Sequence, residues 1–161
     1  MHRTYAILAA MATVFLAVVI ALGFGVAAQR PRVHISAAFL LVITVLFVHS
    51  LQVFFLIGSG RAIREAIHER PWAKPFLANI NRFRLLTFPW SLAAIGSAMA
   101  TAWTGAAAHT GVWTIETHRA AAIACAALNL VAFAAGWTQL RANSRMILEL
   151  QARLDAEAAP S

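Results

Sequence analysis

Four long apolar runs organise the chain, at Tyr5–Ala28, Ile35–Gly58, Leu86–Ala108 and Ala120–Leu140. Each is about 21 to 24 residues, or roughly 31 to 36 Å as a helix, enough to cross a hydrocarbon core of about 30 Å. None shows the period-two alternation of a barrel strand, so the pattern predicts four transmembrane helices. The one internal proline, Pro89, falls in the first turn of the third run, where proline is tolerated. The fold class expected is an all-α integral membrane protein, a four-helix antiparallel bundle forming one membrane domain over residues 1–161. A basic connection, 59–85, and a helical tail, 141–161, complete it.

The first run admits a second interpretation. A basic start, an apolar stretch and Val26-Ala27-Ala28 resemble a signal peptide with its cleavage site. The run exceeds the usual length of a signal core and another full span follows it, which favours a retained helix.

Composition agrees with lipid as the solvent. Of 161 residues, 61% are hydrophobic and only 12% are charged, with mean hydropathy +0.72. That leaves too little polar surface for a water-soluble globule. A net charge of +7 could suggest nucleic acid, but the basic residues flank the spans instead of forming a domain. Arg3, Arg61, Arg64, Arg70, Lys74, Arg82, Arg84, Arg141, Arg145 and Arg153 all fall on one side, and only Arg30, Arg32 and Arg119 on the other. The positive-inside rule then places both termini and the 59–85 connection in the cytoplasm of a bacterial-type inner membrane. Tyr5, Trp90 and Trp137 mark one interface, and Trp103 and Trp113 the other.

Short connections make spans one and two neighbours, and likewise spans three and four. Gly96 with Ala100, Ser97 with Thr101 and the alanines of span four offer small-residue faces for close packing or oligomer contact. Arg61–Arg70 continues span two as a helix, with Arg61/Glu65 and Glu65/Glu69 spacings, until Pro71 ends it. "PWAKPFLANINRF" is expected to lie at the interface, with Trp72, Phe76 and Phe83 dipping into the headgroups. The tail from Met146 is expected to be a solvated helix that frays.

Chemistry is sparse. No phosphate loop, nucleophile elbow or HExxH occurs, no acid lies within a span, and Asp155 is the only aspartate. Cys125, the lone cysteine, sits in an alanine-rich stretch and suits the core. Carboxylate-coupled transport, voltage sensing and stand-alone hydrolysis are all disfavoured.

The six histidines carry what signal there is. His2 and His68 belong to the cytoplasmic side and need no special role. His34, His109 and His118 share the outer face with Glu116 nearby, and imidazoles so grouped are candidates for zinc or copper. The alternative is that histidine is simply comfortable at an interface. His49 lies past the middle of span two with Gln52 one turn on. A polar side chain at that depth is a functional hypothesis by default. Its structural use would be a hydrogen bond to Asn129 or to a Ser or Thr of span three, forming a buried polar cluster of His49, Gln52 and Asn129. Its cofactor use would be haem.

For b-type haem, axial pairs matter: His34 and His118 are expected to face each other at the outer level, with His49 the candidate for a deeper site. In layout alone, the chain resembles the small b-type cytochrome anchors of succinate dehydrogenase. That resemblance implies haem between helices, but no second histidine stands at the depth of His49.

Two function classes compete. One is a non-catalytic membrane subunit or scaffold with a protein partner or a second copy of itself. The other is an electron-transfer or metal-bearing subunit using the histidines above. A channel would need Ser97, Thr101, Thr104, Asn129, His49 and Gln52 to face one another across the bundle.

Overall fold

The computed structural model describes residues 2–25, 29–68 and 70–159; Val26-Ala27-Ala28 and Glu69 lie outside the described residues. The described chain is almost wholly helical. α1 runs His2–Gly25, α2 Pro31–Ala66, α3 Lys74–His109 and α4 Ile115–Ala158, with a single 3-10 turn at Pro71–Ala73. All four helices are long and apolar enough to cross a membrane.

Local chemistry sets several of the helix ends. Pro31 opens α2 and a proline lies in the first turn of α3, where its missing N–H costs nothing. Thr114 caps α4 by accepting from the Thr117 amide at 3.2 Å. Between α3 and α4 the chain turns through Gly111 at φ 77°, a conformation a side chain would strain.

The helices are longer than the apolar runs, and here the structure departs from the sequence expectation. α2 and α3 have 36 residues each and α4 has 44. At 1.5 Å per residue these are about 54 and 66 Å long, well beyond a core of about 30 Å. The 59–85 connection is therefore mostly helix, and only 67–73 separates α2 from α3. Pro89 consequently falls inside α3 and not in its first turn. It removes the amide that would bond the carbonyl of Leu85.

The excess length forms a stalk at the end that carries both chain termini. Phe76, Ile80 and Phe83 of α3 are buried with Met146 and Leu150 of α4 and Ile63 and Ile67 at the end of α2. Phe76 and Phe83 thus point into this stalk, not outward as expected, because facing apolar positions on α4 offer them a protein surface. The tail is docked as well. Glu157 accepts from Arg70 at 2.9 Å and from the Trp72 indole at 2.6 Å. Arg153 lies over the Trp72 and Phe76 rings.

Within the apolar belt the usual distribution of sizes is inverted. Phe39, Phe47, Phe54 and Leu92 face outward, whereas Ala12, Ala94, Ala98 and Ala132 fill the interior. In lipid the outside is as apolar as the inside, so close packing of small residues holds the helices together. The interior also takes in His49, Gln52, Thr87, Ser91, Asn129 and Asn143.

Candidate functional site

Two histidine environments stand out, one in the middle of the bundle and one at the end that carries the Gly111 turn. His49 of α2 is completely buried. Its Nε2 lies 3.2 Å from Asn129 Oδ1 of α4. Asn129 in turn donates through Nδ2 to the carbonyl of Cys125 at 2.9 Å. With its amide hydrogens so engaged, Asn129 presents a carbonyl to the imidazole, and the hydrogen must sit on His49 Nε2. The ring stacks on Phe133, with centroids 4.8 Å apart and planes 8° off parallel. Nδ1 is left a buried acceptor with no protein partner.

Gln52, one turn on, approaches this ring outside hydrogen-bonding geometry. It faces Gly136 of α4, where a Cβ would come within 2.5 Å of the amide nitrogen and would also meet the Tyr5 hydroxyl. Only glycine leaves room for both polar groups. Two turns further along, Asn143 donates to Ser59 at 3.2 Å. The structure thus sets His49 against Asn129 and Gln52 against Gly136 and Tyr5, with Asn143 and Ser59 forming a separate contact between the same two helices. A signal for the additions was available: Asn129, Gly136 and Asn143 recur every seven residues on one face of α4, and His49, Gln52 and Ser59 share one face of α2.

At the other end His34 and His118 meet across α2 and α4, their ring centroids 6.3 Å apart and planes at 72°. Each ring is seated on a glycine. A Cβ on Gly23 would come 3.0 Å from His34, and one on Gly105 would come 2.9 Å from His118. Thr104 gives its hydroxyl hydrogen to the carbonyl of Thr101 at 2.9 Å, so its oxygen accepts from His118 Nδ1 at 3.2 Å. That contact fixes the tautomer and leaves Nε2 of His118 with a free lone pair. His34 Nδ1 is buried without a protein partner.

The wider metal set does not assemble. His109 and Glu116 are exposed, and among the described residues no group of three or more His, Cys, Asp or Glu could hold one ion. The reason is the α3–α4 turn: His109 is in the last turn of α3 and Glu116 in the first turn of α4, both on outward faces. For haem, His49 has Nε2 committed to Asn129 and one face covered by Phe133. A haem between His34 and His118 would have to part α2 from α4, because the two rings already meet, with centroids 6.3 Å apart.

Ser97, Thr101 and Thr104 do face α4, toward Cys125, the carbonyl of Ala121 and His118 respectively. Their hydroxyls, however, also bond carbonyls of their own helix at 2.8 to 2.9 Å. Such satisfied hydroxyls join helices more readily than they line a path.

A groove of about 380 Å³ runs along the stalk between α3 and α4. Trp72, Phe76, Phe83 and Met146 form its apolar floor, with Arg145 and Arg153 at its edge. No family model, no curated protein and no solved structure matches this chain.

Proposed function

We propose that this chain is a non-catalytic multi-pass subunit of a bacterial-type inner membrane, an antiparallel four-helix bundle with both termini in the cytoplasm, that anchors a larger assembly. The observation that carries the reading is the stalk. Three helices continue past the apolar belt and end in a basic, aromatic-floored groove beside a docked C-terminal tail. A membrane anchor needs such a projection, whereas lipid contact alone does not require it. The charge bias supports a cytoplasmic stalk.

The test is the size of the particle purified in mild detergent. The native chain is expected to run as a complex, and Arg145→Glu with Arg153→Glu to release it as a single chain. A native protein that runs as a lone chain defeats the proposal. Orientation is checked separately: Pro75→Cys should label from the cytoplasmic side only.

A second reading rests on one observation, the His34–His118 pair with its tautomer set by Thr104. It makes the chain a metal- or haem-bearing electron-transfer subunit. A reduced-minus-oxidised spectrum with metal analysis of the same sample decides it. An absorption band or a bound metal lost in His118→Ala supports the reading; a colourless, metal-free, folded protein removes it.

A further inference from the structure

The polar groups at the level of Gln52 are not accounted for by protein contacts. The Tyr5 hydroxyl, both amide atoms of Gln52 and Nδ1 of His49 are buried without a protein partner. Thr87 and Ser91 of α3 are in the same condition. Register brings these two to the same layer. Arg84 donates to the carbonyl of Ile57, and Ser97 meets Cys125, so Thr87 and Ser91 fall between, level with Gln52 and Asn129. Leaving one such group dry costs roughly 1–3 kcal/mol, so a layer of six atoms without any partner would be a severe burden on a bundle of this size.

The geometry points to bound water as the missing partner: we propose that Tyr5 and Gln52 hold a buried hydration site inside the bundle, entered from the end that carries both termini. A cavity of about 10 Å³ lies at this level, lined by Thr4, Tyr5, Leu51, Gln52, Phe55 and Leu140. One water needs roughly 10–15 Å³ of such space and two to four polar partners, and both are present. Tyr5 offers a donor and an acceptor, and the Gln52 amide offers both kinds of atom. Gly136 lets both groups sit here by withholding a side chain that would displace them. The site reaches the first turn of α1, where Thr4 lines the cavity.

The inference is independent of the anchoring role. It is tested by X-ray hydroxyl-radical labelling of the full chain in lipid nanodiscs, read by mass spectrometry. Radicals formed from bound water oxidise adjacent side chains that bulk solvent does not reach. After correction for intrinsic reactivity, Tyr5, Leu51 and Phe55 should label several-fold faster than Leu16 and Val45, which belong to the apolar cluster nearer the Gly111 turn. Gln52→Leu should bring Tyr5 down to the dry-core rate. If that variant fails to fold, Tyr5→Phe should do the same for Leu51 and Phe55. Equal rates in the native chain, or rates unmoved by the substitution, would overturn the proposal.

Discussion

His49 and His34 stand on the same helix, yet their surroundings make them different chemical objects. His49 is held on one nitrogen by an oriented amide and on one face by Phe133. His34 meets another imidazole, edge to face, with a glycine at its back. The first arrangement joins α2 to α4 and fixes their register. The second brings two imidazoles edge to face with no carboxylate beside them among the described residues. Depth explains the contrast. In mid-membrane an unpaired polar atom is costly and must find a partner, whereas near an interface water can serve any nitrogen left open.

Substitutions can break this comparison from either side. Gly136→Leu should have the largest effect, since even its Cβ would run into Gln52 and Tyr5. Overpacking of this kind costs about 1–3 kcal/mol or more, seen as a lower unfolding midpoint in detergent or failure to accumulate. Asn129→Leu should come next. It strands the Nε2 hydrogen of His49, and interhelical hydrogen bonds in membranes are worth about 1–2 kcal/mol at most. Combined with His49→Leu the loss should shrink, and a double-mutant cycle reports whether the pair couples.

Thr104→Ala should act differently. Its cost in stability should be about 0.5–1.5 kcal/mol, but it frees the His118 ring to change tautomer. If the outer pair binds a metal, affinity should fall about 10–100-fold in a metal titration; equal affinity in both proteins would show that Thr104 does not orient the ligand. Smallest of all should be Glu149→Ala, which removes an exposed ion pair to Arg153 at 2.9 Å. Such pairs contribute about 0.2–1 kcal/mol, and the difference should vanish in high salt.

Much of the membrane frame was legible in the residues. Runs of Val, Ile, Leu, Phe and Ala longer than 20 positions have one good environment, and hydropathy alone reveals them. That His49 needs a polar partner, Asn129 or a hydroxyl of span three, was legible for a related reason: few polar groups exist at that depth. The stalk was not. Residues 74–85 mix Asn, Arg, Phe and Leu in a way that suits an interfacial strip as well as a helix face. What decides between them is the surface opposite, where Met146 and Leu150 present an apolar face. The outer histidines show the same limit. Spacing along the chain could group His34, His109, His118 and Glu116 by depth, but depth says nothing about direction around a helix axis, and two of the four turn away.

The sequence by itself therefore determined the solvent and the four apolar crossings, together with the rarity of chemistry within them, because transfer free energies are properties of residues. The tertiary structure alone decided which polar groups meet, that Gly136 leaves space for Tyr5 and Gln52, and that Trp72 docks on the end of α4. Those outcomes depend on helix rotation and register, which small residues permit and only contacts between helices select.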